Sequence, residues 1–360
     1  MSSRRRVVIV TGTRAEFGLL RTVLDACLAY RGLETSLIVT GTHLTLGTID
    51  DIRAAGYRIA RRVPMQKPGE EGRVDDVRAL GRGVTRMAGV FESLRPTFVV
   101  VLGDRIEAFA AASAAAVGGF RVAHLHGGDR AEGVADESMR HAISKLAHLH
   151  LPATAGSRRR LVRMGETKDR VMVVGSPAMD GLGEVVADGD APKVMVLQHP
   201  VGESTKQEQA WMEATLQAVK KHDPLVLHPN TDAGAEGIRR AIKKAAVKTV
   251  KHLPRDLFLS LLAGAGVLVG NSSAGLIEAA ALRTPAVNIG PRQAGRERPG
   301  TMVDCDYGER AVRAAVRQAL ALDTSKARHP YGRGDTGVRV AELLAGIDLE
   351  RIPLRKLNAY

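Results

Sequence analysis

Short apolar runs recur along the chain, each closing on a small polar loop and followed by residues whose apolar positions return every three or four places. The run 7–10 is one: Thr11-Gly12-Thr13 follows it, then Leu19, Leu20, Val23 and Leu24 at helical spacing. The same pattern predicts strands at 36–39, 97–102, 120–123, 148–151, 170–174, 193–197, 225–228, 247–250, 267–269 and 286–289. Helices are predicted between them, including 75–94, 106–117 and 157–164. Runs without polar alternation suit strands buried on both faces, and strand–helix alternation implies parallel sheets. Residues 58–71, polar and carrying Pro64 and Pro68, read as loop, and Arg158, Arg159 and Arg160 as a solvated face. Gly175-Ser176-Pro177 interrupts the alternation, which then resumes without repeating the sequence. The expected architecture is therefore α/β, with two Rossmann-like domains, 1–177 and 178–360, facing each other across a cleft; the last helices have the option of packing back on the first domain.

Charge narrows the partner. Lysine and arginine number 52 against 39 acidic residues, a formal charge of +13, which favours an anionic ligand. Aromatic residues make up only 3%, which argues against base stacking, so a phosphorylated small molecule is expected rather than nucleic acid. Cys27 and Cys305 lack any Cys-x-x-Cys spacing, so neither a disulfide nor a metal site is expected. No apolar run is long enough for a signal-peptide core or a membrane span, and the chain reads as a soluble cytoplasmic protein.

Candidate chemistry concentrates at 124–150, HLHGGDRAEGVADESMRHAISKLAHLH. Histidines, a Gly-Gly pair, four acids (Asp129, Glu132, Asp136, Glu137) and Arg140-His141 lie in one loop and one helix start. That mixture has no use in a core, and open α/β sheets bind ligands at the carboxyl ends of their strands. Other loops share the position. Thr11 to Gly18, with Arg14, is a candidate anion cradle, and Thr40-Gly41-Thr42-His43 repeats its style. Asp104 follows a strand and reads either as a reacting carboxylate or as a helix N-cap. In the second half, Gln198-His199-Pro200 carries a histidine with catalytic or structural meaning, and Gly270 to Gly275 makes a phosphate cradle. Glu278 suits ribose hydroxyls or the helix dipole, and Arg292, Arg296 and Arg298 suit bidentate phosphate contacts.

The ordered set TGTRAEFGLL (11–20), GDRIEA (103–108), the 124–150 stretch, LQHP (197–200), HPNTDAG (228–234), VGNSSAGLIEA (269–279) and NIGPRQAGRER (288–298) resembles the UDP-N-acetylglucosamine 2-epimerase family over nearly the whole chain. The GGD and DESMRHAISKLAH text is closer to its hydrolysing branch. The resemblance implies a glycosyltransferase-B-like fold, with the nucleotide held mostly by the second domain. It also implies removal of the C2 proton of a UDP-2-acetamido sugar, loss of UDP from C1, and hydration to the free 2-epimer, feeding sialic-acid-like sugar synthesis. The family carboxylates match Asp104 and Asp136 and the family histidine matches His199; with His126 and Glu137 beside them they form the expected catalytic set. The family's phosphate and ribose roles match Arg14, Ser272, Ser273, Glu278 and Arg292, and His43, Arg105, Arg140, His228 and Asn271 complete the set expected to hold UDP and substrate. No metal or other cofactor is implied, and a homo-oligomer, dimer or tetramer, is expected. One departure stands out: many hydrolysing members have HIEGGE where this chain has HLHGGD, so His126 replaces a glutamate assigned to proton transfer. A histidine also moves protons near neutral pH, and the change points to a subgroup acting on UDP-2,4-diacetamido-2,4,6-trideoxy sugars. The alternatives are a non-hydrolysing epimerase, a glycosyltransferase, and a nucleotide-sugar-binding protein of the same fold.

Overall fold

The computed structural model describes residues 4–70, 72–130, 137–230 and 232–359. The first of two compact units runs to Asp129, resumes through Asp180 and takes the chain from Gly332 onward; the second holds Gly181–Tyr331. Among the described residues each contains one six-stranded sheet, in which every strand pairing is parallel.

In the first unit the strands are β1 (Arg5–Thr11), β2 (Leu33–Thr40), β3 (Ile59–Val63), β4 (Phe98–Leu102), β5 (Arg121–Leu125) and β6 (Leu149–Leu151), in the order β3-β2-β1-β4-β5-β6. Successive residues of β1 divide between two cores: Val7 and Ile9 join one face, Val8 and Val10 the other. That is why β1 reads as an unbroken apolar run. The helix Thr336–Gly346 completes the first face, with Val340, Ala341 and Leu344 in the same cluster as Val7 and Ile9. It lies so close to the helix Arg14–Ala29 that a β-carbon on Gly337 would stand 2.4 Å from the Thr22 carbonyl oxygen. Gly337→Val is expected to cost about 1 to 3 kcal/mol through forced separation of the two helices, read as a lowered urea midpoint with unchanged slope.

The second unit has β7 (Val194–Leu197), β8 (Leu225–Leu227), β9 (Lys248–Val250), β10 (Val267–Gly270), β11 (Ala286–Ile289) and β12 (Met302–Cys305), in the order β12-β11-β10-β7-β8-β9. Both sheets thus reverse strand order once, at β1/β4 and at β7/β10, the position where doubly wound folds take ligands.

Three local expectations need correction. Residues 58–71 contain β3: its edge position leaves Arg61 and Arg62 exposed, so the segment lacks a core-strand pattern. β12, also an edge strand, is likewise additional. The expected strand at 170–174 reduces to a bridge from His150 to Val171. Its backbone still donates, Met172 to His150 and Val174 to Pro152, but Pro152 has no N–H to return and the ladder stops there.

Candidate active site

In the first unit the loops leaving β4 and β5 are locked together. His124, fully buried in β5, bonds the Gly103 carbonyl through Nε2 at 2.8 Å and the Ser144 hydroxyl through Nδ1 at 3.1 Å. Burial drives its pKa down to about 3, so the ring stays neutral and holds the Gly103-Asp104 turn against β5. Asp104, a fifth exposed, pairs with the buried Arg140, whose Nη1 also donates to the Asp129 carbonyl at 3.1 Å. The Asp104 side chain does not cap the helix Ile106–Val117; Arg105 holds the N-cap position without a side-chain bond. The capping alternative is therefore not realised.

His126 follows β5 with φ +61, a left-handed conformation uncommon for a residue with a side chain. Its Nδ1 lies 2.8 Å from Asp129 Oδ2 and its Nε2 3.0 Å from the Ser176 hydroxyl. Asp129 Oδ1 accepts from Ser157 at 2.7 Å, and Arg160 donates to the Gly128 carbonyl and to Ser157. The Gly-Gly pair is required by this packing: a β-carbon on Gly128 would come within 2.5 Å of the Ser157 carbonyl oxygen. Arg158 donates to the Val171 carbonyl, so two of the three consecutive arginines turn inward and only Arg159 is exposed, correcting the solvated-face expectation. Glu137 opens the next helix and faces His141 at 3.4 Å. Asp136 lies outside the described residues.

The expected anion cradle after β1 is occupied from within. Thr13 caps the helix, and the Gly12 N–H donates to Glu16 Oε2 at 2.6 Å. Glu16 is buried beside Glu107, and burial with that neighbouring charge raises its pKa to about 8. His43, with no exposed surface, contacts Thr11 and Thr48 through its two nitrogens, and burial lowers its pKa to about 4. It therefore supports the loop instead of presenting a charge to a ligand. Arg14 pairs with Asp51 at 3.2 Å on the surface, and Arg105 lies 3.5 Å from Glu107. An acid whose folded pKa is raised stabilises the fold below its unfolded value near 4.5 and loses that contribution as pH rises through 8. Glu16→Gln, which keeps the acceptor for Gly12, is expected to flatten the fall in stability from pH 5 to 8 by about 1 kcal/mol per pH unit. Melting temperatures across that range check it; parallel wild-type and variant curves would refute it.

In the second unit Asn271, buried just past β10, clamps His199, two residues beyond β7, from both sides. It accepts the His199 N–H at 2.7 Å and donates to the His199 carbonyl at 2.8 Å, while its own carbonyl accepts from Arg292 and Gln293. His199 Nδ1 accepts the Asn230 N–H, so the neutral ring carries its proton on Nε2. Burial, with Arg292 nearby, holds its pKa near 3. Ser272 caps the turn Ser273–Gly275, Glu278 meets Arg255 at 3.4 Å, and His228 is half-buried with its pKa lowered by burial. Asn271, Ser272, Ser273, His199 and Arg292 therefore gather at the β7/β10 switch point, and the hydroxyls and cation suit a diphosphate.

Sequence reasoning did not single out Ser157, Ser176, Arg160 or Glu16. Ser176 stood in the motif read only as a break, and nothing local ties it to His126, 50 residues earlier.

Residues 25–345 match the model of the UDP-N-acetylglucosamine 2-epimerase family. The chain is 36% identical to a UDP-N,N'-diacetylbacillosamine 2-epimerase (hydrolyzing) of Legionella pneumophila, over 99% of this chain and all of that protein. It is 31% identical to a UDP-N-acetylglucosamine 2-epimerase of Neisseria meningitidis, over 92% of each. Its fold is similar to the crystal structure of UDP-GlcNAc 2-epimerase from Neisseria meningitidis bound to UDP-GlcNAc, with a TM-score of 0.81 at 17% identity, covering 94% of this chain and 99% of that one.

Proposed function

The chain belongs to the UDP-N-acetylglucosamine 2-epimerase family, and from that premise we propose that it is a hydrolysing 2-epimerase of a UDP-2-acetamido sugar. The observation that carries the reading is the continuous cluster Asp104, Arg140, Asp129 and His126 behind β4 and β5. The C–H on C2, the carbon that bears the acetamido nitrogen, is a weak acid, and its removal requires oriented acid/base groups of this kind. Asp104, His126, Asp136 and Glu137 are assigned to the protons of the sugar. Their base takes the C2 proton, the C2–H pair becomes the C1=C2 bond, and the C1–O pair leaves with UDP. Water then adds across that bond, its hydroxyl to C1 and a proton to C2 on the opposite face.

UDP is assigned to the second unit. Arg292, Ser272, Ser273 and Asn271 take the diphosphate, Glu278 the ribose, and His228 the nucleotide side. His199, neutral and protonated on Nε2, serves there as a hydrogen-bond donor to the leaving group, since a ring with a pKa near 3 is no reservoir of protons at pH 7. Arg14, Arg105 and Arg140 hold the sugar-side loops, with His43 beneath them. The identity to the Legionella relative favours a UDP-2,4-diacetamido-2,4,6-trideoxy sugar, with UDP-N-acetylglucosamine as the simpler member of the class. No helix among the described residues is long and apolar enough to cross a membrane; a cytoplasmic homo-oligomer, dimer or tetramer, completes the proposal.

The test is incubation with each UDP-sugar in deuterium oxide and, separately, in oxygen-18 water. Released UDP without label, and a free 2-epimer carrying deuterium at C2, are expected. Oxygen-18 in UDP, or an unexchanged C2, would overturn elimination. A UDP-sugar product without UDP release would point to the non-hydrolysing reaction.

A further inference from the structure

His126, Asp129 and Ser176 form a hydrogen-bonded line, of which the proposed reaction gives the imidazole a role without saying which nitrogen acts or what Ser176 does. All three are buried, at 7%, 5% and 0% exposure. An ionised carboxylate only accepts hydrogen bonds, so Asp129 Oδ2 at 2.8 Å selects the ring tautomer with its proton on Nδ1. The Nε2 lone pair then faces Ser176 Oγ at 3.0 Å, and the serine hydroxyl donates to it. The same oxygen accepts the Ala178 N–H at 3.3 Å, which leaves its own proton free for the ring. Ser157 occupies the other oxygen of Asp129, and the His126 N–H donates to the Leu151 carbonyl at 3.2 Å, so ring and carboxylate are both anchored.

The order serine, histidine, aspartate is that of a hydrolytic triad, but Ser176 has no exposed surface and opens the tight turn Pro177–Met179. No acyl carbon can reach it. Of the three, His126 keeps the most surface, a little more than Asp129, and the line acts toward its imidazole.

We propose that Asp129 and Ser176 are positioning residues that make His126 a neutral base acting through Nε2: Asp129 sets the tautomer, and Ser176 holds the lone pair in place until a substrate proton displaces its hydroxyl. The proposal rests on the epimerase reading and identifies the nitrogen that does the work. Asp129 bonds His126, and the charged and titratable groups around the pair are Arg140 on the Asp129 carbonyl with its partner Asp104, Arg160 on the Gly128 carbonyl, and His124 with His150. Arg339 ties the Val173 and Val174 carbonyls on the segment leading to Ser176. Of the side chains in this set, Asp129 and Ser176 are the two bonded to the ring.

The test uses the full chain labelled with nitrogen-15 histidine, with His126→Gln assigning the signal. At neutral pH the His126 signal should show Nδ1 protonated and Nε2 bare. Asp129→Asn, whose amide can donate to Nδ1, should reverse the tautomer and lower kcat by about 100-fold with KM within a few-fold. Ser176→Ala should keep the tautomer and lower kcat less, by about 10-fold, with KM within a few-fold. A wild-type ring protonated on Nε2, an unchanged tautomer in Asp129→Asn, or a kcat that neither substitution lowers would overturn the proposal. Where no UDP-sugar is turned over, the epimerase reading fails while the wild-type and Asp129→Asn spectra still decide the tautomer. Should Asp129→Asn not fold, the wild-type spectrum and Ser176→Ala decide it.

Discussion

Asp104→Asn should lower kcat for UDP release by about 1000-fold while UDP affinity stays within a few-fold. The residue leaves β4 on a turn whose Gly103 carbonyl is tied to His124, and its carboxylate meets Arg140. Asparagine keeps the size and one acceptor but removes the negative charge and the ability to take a proton. The buried Arg140 loses its carboxylate partner, so the geometry behind the Asp129 carbonyl loosens as well. UDP is assigned to the second unit, which this change does not touch. Steady-state UDP release and calorimetric UDP titration of the same preparation measure both arms. Turnover at the wild-type rate would remove Asp104 from the chemistry, and loss of UDP affinity would mean that the division of roles between the units is wrong.

The largest stability effect is expected at Glu166, away from the reacting groups. Its side chain is 1% exposed and meets Lys145 at 2.8 Å, Lys356 at 2.6 Å and His150 at 2.9 Å. Burial works against its ionisation, but the His150 bond and the two lysines prevail and hold its pKa to about 2. Lys356 also donates to the Ser144 and Lys145 carbonyls, and the His148 ring bonds the Leu354 carbonyl, so this cluster pins the C-terminal tail to the helix Glu137–Leu146. Glu166→Gln leaves two ammonium groups facing an uncharged amide and should cost about 3 to 5 kcal/mol. A carboxylate with a depressed folded pKa contributes stability above its unfolded value near 4.5 and loses it as pH falls toward 2. Urea unfolding at pH 7 should therefore separate variant from wild type widely, and the gap should close below pH 4. Hydrogen exchange in the tail should quicken in the variant. A pH-independent difference below 1 kcal/mol would show that the cluster is not what holds the tail.

Neither effect has a local signature, and this marks the boundary between what could be read along the chain and what could not. The buried strands were legible because a strand covered on both faces must be apolar at every position: 7–10 and 267–269 need no knowledge of their neighbours to be recognised. Strand–helix alternation then implies parallel sheets, and the carboxyl ends of their strands are where the chemistry-bearing loops at 103–105, 124–130 and 270–275 lie. Edge strands escape that rule. β3 exposes Arg61 and Arg62 because one side of it pairs with nothing, so its sequence resembles loop. The partners of the polar residues were beyond reach for a different reason. Arg158 and Arg160 belong to one run of arginines, and only the path of the neighbouring chain supplies the carbonyls that turn them inward. His43 carried the right residue type in the right loop, yet packing sealed it beneath that loop. His126 was legible as a proton-moving group from its neighbours in sequence. That its Nδ1 meets Asp129 is a contact three residues away, but that its Nε2 meets Ser176 depends on how some fifty residues of helix and strand pack before the chain returns. Composition and periodicity act over a few residues and determine elements; hydrogen bonds between residues distant in sequence follow from the packing of those elements, and that packing decides which side chains carry charge, which are sealed and which reach a ligand.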